Sequence, residues 1–405
     1  MLQTNISTIA VLLITITLLY LVPFPPLLAK PHAATTTSST SKTKNHHVPS
    51  YLIIGAGKAG TSSLYEYLSH HSKFLPAKKK QVHYFKYYYK KGMTWYLSQF
   101  PKTHLHTGEA APGYLPYPYV AERIYNVSFI PSPLTLPRTN PHLLASFCSL
   151  QDLGDDINII MIARDPIERA FSSYMYNYRS QPLKANEIIS FNDLISAELA
   201  ILDSCLSPGG SAEQRASSSP YMGNVIDKPR FNVIEGCYED KQDEQWRQII
   251  EQNPSVAHSV DSPLSYLFQA FVGRGLYSYQ LEWWLGAFNN VFVVCSQELK
   301  NDSKDAMTKL GNWMGVEGGS KEWEDVVQLG AYNVGGGTKS YVYDEKVSWD
   351  AFDKISEEMG GTLAQLKMAM DPDVLKRFEQ LAQDELKHLN ELQKRFAFGG
   401  GKCEW

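Results

Sequence analysis

The chain has 405 residues, 43% of them hydrophobic and 20% charged, with a formal net charge of −4. This is ordinary globular composition, with room for one large domain or two smaller ones. The slightly acidic balance excludes a nucleic-acid binder that works through global charge, so no nucleic-acid partner is expected. The five cysteines are too few for a disulfide scaffold and contain neither a C-x-x-C pair nor zinc-like spacing, so no metal is expected either.

Ile6 to Val22 is an uncharged run of apolar and hydroxyl-bearing residues, closed by prolines at 23, 25 and 26. It is about long enough to cross a bilayer. The expected organisation is a short cytoplasmic tail at 1–5 and a signal-anchor segment at 6–29, with a cleaved signal peptide as the alternative. The missing basic n-region fits neither reading well, and Lys30 on the far side fits an anchor poorly. Both readings deliver the remainder to the secretory lumen. Residues 30–49, including TTTSSTSKTK, have the composition of a flexible stem, which leaves a folded domain over 50–400.

Tyr51–Leu64, YLIIGAGKAGTSSL, is the stretch around which the rest is arranged. It reads as a buried strand, a glycine turn and the start of a helix. Backbone N–H groups and the dipole at a helix start favour anions, glycines allow close approach, and Lys58 adds a full charge. Further on, Lys78–Lys80 is either a solvated face or the lining of the same cleft. Gly108–Tyr114 is a strand end entering a turn. Asn126-Val127-Ser128 and Asn301-Asp302-Ser303 are glycosylation sequons usable in a lumen.

Asn158–Ala163, NIIMIA, is a second all-apolar strand, as expected in a parallel sheet covered on both faces. Arg164-Asp165-Pro166 ends it and a helix follows with proline in its first turn. Phe191 to Leu202 is an amphipathic helix, and 204–262 is a polar insert. Cys205 and Cys237 near its ends are expected to form a disulfide worth about 3 kcal/mol on the loop-entropy model, leaving Cys403 unpaired or intermolecular. Gly275–Phe288 is an aromatic-rich helix, Val291–Cys295 a third buried strand, Lys304–Met314 another helix, and Leu375–Phe398 a terminal amphipathic helix. The order predicts one α/β domain: a doubly wound parallel sheet in three αβα layers.

Gly55-x-Gly57-x-x-Gly60 matches the dinucleotide fingerprint literally, but the region where that fold wants an acidic residue for the ribose offers lysines. The Walker pattern needs a lysine directly after the last glycine, and Thr61 stands there. No obvious acidic metal ligand follows the second strand; Arg164 and Asp165 do. A phosphate loop without a metal partner points to a donor held by Lys, Arg and backbone N–H alone, with an NADP-dependent oxidoreductase as the alternative.

GAGKAGTSSL and ARDPIERAFSSY resemble the two nucleotide-binding signatures of sulfotransferases that use 3′-phosphoadenosine 5′-phosphosulfate. The resemblance runs from about Tyr51 to the C-terminal helix and is greatest to the Golgi carbohydrate enzymes. These include heparan sulfate sulfotransferases and N-acetylgalactosamine 4-sulfate 6-O-sulfotransferase, through GEAAPGYL, FNDLISAELAILDSC and GLYSYQLEWWLGAF. It implies a P-loop-like phosphosulfate-binding loop in which Lys58, Ala59, Gly60, Thr61, Ser62 and Ser63 hold the 5′-phosphosulfate, with Lys58 balancing charge on the bridging oxygen. It also implies that Arg164 and Ser172 hold the 3′-phosphate and that Tyr332 and Lys339 belong to a late loop over the nucleotide. A carbohydrate acceptor and a single-pass Golgi membrane protein with a lumenal domain follow from the same likeness.

One departure matters. The family usually carries an acidic base in a Lys-Glu-x-His-Phe-Phe-like segment, whereas this chain has Lys80-Gln81-Val82-His83-Tyr84-Phe85. Glutamine cannot accept a proton at neutral pH. The base is then His83 or Glu109, with Gln81 orienting the hydroxyl, or the chain is an inactive binding relative. His83 is the expected base, because histidine titrates in the useful range.

Overall fold

The computed structural model describes residues 48–128, 157–179, 191–206, 270–316, 320–328, 367 and 370–405. The segment at 6–29, all of the stem but residues 48–49, almost all of the insert, Cys237, Tyr332 and Lys339 lie outside the described residues. Among the described residues no helix is long and apolar enough to cross a membrane.

One six-stranded sheet forms the centre, in the order β2-β3-β1-β4-β5-β6. Its strands are β1 (Tyr51–Gly55), β2 (Phe74–Pro76), β3 (His106–Ala110), β4 (Asn158–Ala163), β5 (Val291–Cys295) and β6 (Gly399–Gly400). Every ladder is parallel. The helices are α1 (Thr61–His70), α2 (Met93–Leu97), α3 (Pro118–Ser128), α4 (Pro166–Arg179), α5 (Phe191–Leu206), α6 (Tyr277–Ala287), α7 (Ser296–Asn301), α8 (Ser303–Trp313), α9 (Ser320–Val327) and α10 (Pro372–Phe396). α1, α8 and α9 pack together, while α3, α4, α5, α6 and α10 form a second group. β1 and β5 are buried along their whole length and β4 along all but its first residue, which is why these strands read as unbroken apolar runs.

The strand order decides where a ligand can sit. From β1 the chain crosses to β2 on one side, and from β4 it crosses to β5 on the other. The loops that leave β1 and β4 therefore diverge, and the crevice between them lies at the carboxyl ends of the strands, where open α/β sheets bind ligands. β3, not β2, lies beside β1. The dinucleotide fold instead places β2 beside β1 to carry its ribose-binding acid, so this topology removes the basis of the oxidoreductase alternative. Gly108 is what allows β3 so close: a Cβ there would stand 2.2 Å from the carbonyl oxygen of Tyr51.

A second apolar cluster lies beside the main core. Ile167 and Ala170 of α4, Leu194, Ile195 and Leu199 of α5, and Phe378 and Ala382 of α10 enclose Phe271, Val272 and Leu276. It fixes the segment that leads into α6.

The carboxyl terminus departs from expectation. α10 stops at Phe396, Ala397 takes a left-handed conformation, and Gly399–Gly400 pair with Phe292 and Val293 of β5. Cys403, expected to be unpaired or intermolecular, is instead bonded to Cys295, with the two Cα atoms 5.3 Å apart. The terminal strand carries it there, and two glycines give no strand signal in sequence. The expected Cys205–Cys237 pair falls outside what is described.

Candidate active site

β1 delivers the chain into the turn at residues 56–60, and the turn is tied to the next strand, because Ala56 N–H donates to Ile162 O of β4 at 3.0 Å. Ala59 N–H folds back onto Ala56 O at 3.2 Å. Gly60 is the N-cap of α1, with φ of 108° and no side-chain cap. Glycine takes this conformation without the steric cost any other residue would meet. α1 is ten residues long, so its dipole points a partial positive charge into the turn. Thr61 and Ser63 are buried at its start, and Ser62 accepts a 2.5 Å hydrogen bond from Lys80 Nζ. That bond joins the lysine segment to the anion loop, so the two face one cleft.

Three more cations surround the turn. Lys58 lies within it at a φ of 69°, its ammonium 4.4 Å from the centre of the Tyr176 ring. Arg164, at the end of β4, donates from Nη1 to Lys58 O at 3.1 Å and from Nε to Glu168 at 3.0 Å, while its own carbonyl accepts the Tyr277 hydroxyl at 2.8 Å. Arg169 of α4 is 2% exposed and lies beneath the loop. Its Nη2 donates to Ala270 O at 3.2 Å and to Phe271 O, and Nη1 reaches Gly57 O at 3.5 Å.

This crowding has an electrostatic signature. Burial, then Arg164, Lys80 and Arg169, lower the Lys58 pKa to about 8. Burial lowers that of Lys80 to about 8. Arg169 is lowered to about 10, again chiefly by burial. A protein with a net charge of −4 has gathered desolvated, mutually repelling positive charge at one helix start. Such a cluster is stabilised by an anion with several charged oxygens.

Glu109 of β3 lies on the other side of the lysine segment and is fully buried. One carboxylate oxygen accepts the N–H groups of Val82 at 2.8 Å and His83 at 3.1 Å. The other accepts the hydroxyls of Tyr96 and Tyr114, both at 3.0 Å. Burial lifts its pKa to about 7, against the pull of these hydrogen bonds. Glu109 thus clamps residues 82 and 83, and its oxygens are already engaged.

His83 is held by that clamp in a left-handed conformation, φ 56°, and opens a π-helical turn over Tyr84–Tyr88. The His83 ring meets Gln81, with Nε2 2.7 Å from the side-chain oxygen. A proton on Nε2 makes this a hydrogen bond and leaves Nδ1 as a lone pair; Nδ1 is buried and, among the described residues, has no hydrogen-bond partner. Burial, followed by Lys86 and Lys80, lowers the imidazole pKa below the usual histidine value, which keeps the ring neutral. Among the described residues the only non-glycine positive φ angles are at Lys58, His83 and Ala397. Two of the three belong to this cleft, as strained residues at functional sites do.

Ser172 sits half-buried on α4, downstream of Arg164. Sequence reasoning missed Arg169, which there is one more charge on an amphipathic helix, and Tyr96 and Tyr114, whose only signal is their type.

The model for the sulfotransferase domain matches residues 49–390. The chain belongs to the sulfotransferase family. A membrane-associated sulfotransferase of Dictyostelium discoideum, kil1, is 23% identical over 301 residues, which is 66% of this chain and 56% of that protein. The chain therefore spans little more than half the length of this relative. The crystal structure of a sulfotransferase from Alicyclobacillus acidocaldarius resembles it with a TM-score of 0.45 at 18% identity, over 85% of this chain and 95% of the other.

Proposed function

We propose that this chain moves a sulfuryl group from 3′-phosphoadenosine 5′-phosphosulfate to a hydroxyl of a carbohydrate, glycosaminoglycan-like or another sulfated polysaccharide. The observation that carries the reading is the convergence of Lys58, Lys80, Arg164 and Arg169 on the uncapped start of α1. The donor carries its activated sulfuryl group at the outer end of its 5′-phosphate and a second phosphate at the 3′ position. In this reading Ala59, Gly60, Thr61, Ser62 and Ser63 hold its 5′ end, and Arg164 and Ser172 its 3′-phosphate. Lys58 balances charge on the bridging oxygen, and its pKa near 8 leaves it mostly protonated at neutral pH. Arg169 acts from below by fixing the loop. The protein's contribution is positioning and charge stabilisation.

His83 is the base in this scheme. Among the described residues its Nδ1 has no donor, and an acceptor hydroxyl would supply one. Gln81 holds the opposite nitrogen and so selects the tautomer, and Glu109 fixes the backbone of His83. Tyr87, 62% exposed, presents a flat face beside His83 of the kind that suits a sugar ring. Anchoring in the Golgi membrane by residues 6–29 is the accompanying proposal, in keeping with the membrane-associated relative.

The test is transfer of radiolabelled sulfate from the donor to a panel of polysaccharides. Incorporation by the wild type and its loss in Lys58→Ala supports the reading. Tight nucleotide binding without transfer to any carbohydrate favours an inactive binding relative.

A further inference from the structure

Near His83 stands a second pair of cations, Lys86 and Arg274. Lys86 lies on the π-helical turn with its ammonium 4.7 Å from the Tyr87 ring centre and 4.0 Å from that of Tyr117. Arg274 meets the same tyrosine, its Nη2 3.4 Å from the Tyr117 hydroxyl. The rings of His83 and Tyr87 are 5.3 Å apart, so contacts run without a break from the proposed base to Arg274.

Both cations are mounted on fixed backbone. The Lys86 turn is held by Arg123, which donates to Phe85 O at 2.6 Å, and by the Tyr114 hydroxyl, which accepts from Phe85 N–H at 3.3 Å. The Arg274 turn is held by buried Glu198, which accepts the N–H groups of Val272 at 2.8 Å and Gly273 at 3.2 Å. Arg169, already under the anion loop, grips Ala270 and Phe271 of the same segment. Among the described residues neither Lys86 nor Arg274 is in an ion pair with a carboxylate. Burial and then Arg274 lower the Lys86 pKa to about 7, the behaviour of a cation short of a counter-charge.

We propose that Lys86 and Arg274, both in contact with Tyr117, form an anion subsite for the acceptor, which is therefore a carbohydrate bearing a carboxylate or sulfate ester close to the hydroxyl that is modified. The subsite rests on the sulfotransfer reading above. It selects the substrate by charge, whereas Lys58, Lys80, Arg164 and Arg169 serve the donor. Tyr87, exposed between His83 and Lys86, supplies the face on which a sugar ring spans the two.

Calorimetry with full-length protein saturated with 3′-phosphoadenosine 5′-phosphate tests it. The probes are oligosaccharides of chondroitin sulfate, of hyaluronan, which bears carboxylates only, and of desulfated, carboxyl-reduced chondroitin, which is neutral. The wild type should bind a charged probe about tenfold more tightly than the neutral one, the scale of one charge-assisted hydrogen bond. Which charged probe wins tells a sulfate ester from a carboxylate. Lys86→Gln and Arg274→Gln should each abolish the preference while leaving nucleotide affinity and melting temperature as in the wild type. Equal binding of charged and neutral probes by the wild type would overturn the subsite, as would a loss of nucleotide affinity in the variants matching their loss of glycan affinity. If the wild type binds no nucleotide, the underlying reading falls and the subsite with it.

Discussion

His83 Nε2 lies 2.7 Å from the side-chain oxygen of Gln81, while Nδ1 on the other side of the ring has no hydrogen-bond partner among the described residues. On the mechanism proposed above, the pair inverts the arrangement of the Lys-Glu-x-His-Phe-Phe-like segment: Gln81, in the acid's place, orients, and the histidine accepts the proton. His83→Ala should lower turnover by about 10²–10⁴-fold, the contribution of a positioned base, and leave nucleotide affinity unchanged. Because burial, Lys86 and Lys80 lower the His83 pKa, the acid limb of kcat/KM should lie below the ordinary histidine value. Gln81→Glu puts a carboxylate against the ring and should move that limb to higher pH. A pH–rate profile of the three proteins checks both statements; full activity in His83→Ala would contradict them.

Glu109 should behave as a positioning residue. In Glu109→Gln the amide can turn its NH2 toward Tyr96 and Tyr114, whose hydroxyls can reverse and accept, while its oxygen keeps Val82 and His83. This variant should fold and retain most activity. Glu109→Ala leaves two buried N–H groups without a partner and should cost about 1–3 kcal/mol for each. Thermal melts alongside turnover separate the cases. A Glu109→Gln protein that folds normally and is dead would make Glu109 the base.

Nucleotide binding should take up protons. Lys58 and Lys80 have pKa values of about 8 because they are buried, and Lys58 also because cations crowd it. Phosphate groups arriving beside them raise those values, so affinity should fall as pH rises through about 8. Calorimetry at pH 8 in buffers of different ionisation enthalpy measures the uptake directly. Binding with no proton uptake would mean that the nucleotide does not meet these lysines.

The Cys295–Cys403 bond closes a separation of 108 residues and secures β6 against β5. Loss of a bond closing a loop of that size costs on the order of 4–5 kcal/mol on the loop-entropy model. Cys403→Ser should therefore melt at markedly lower temperature than the oxidised wild type, and reductant should bring the two together. Peptide mapping that finds both as free thiols would refute the pairing.

The central fold was legible because its strands are buried on both faces. NIIMIA and VFVVC can be little else, and the glycines after YLII mark the turn. β2 and β6 were silent: a three-residue strand ending in proline and a pair of glycines carry neither alternation nor propensity. In the site, residues joined by local motif were visible, including Lys58 and Arg164. Those assembled through tertiary structure were not. Arg169 acts on Gly57, Ala270 and Phe271, segments about a hundred residues away in sequence. His83 was visible as a residue type, but its left-handed backbone depends on a carboxylate from β3.

The most direct test of the account is the donor itself. Wild-type protein, Lys58→Ala and Arg164→Ala should be titrated with 3′-phosphoadenosine 5′-phosphate and, separately, with NADP. The account predicts that the wild type binds the first and not the second. Each substitution should weaken binding about 10–100-fold, the loss of a charge-assisted hydrogen bond to phosphate, with the melting temperature little changed. Lys58→Arg should fail too, since a planar fork does not replace a compact ammonium in a tight glycine turn. Wild-type affinity in the alanine variants, or a preference for NADP, would contradict the account.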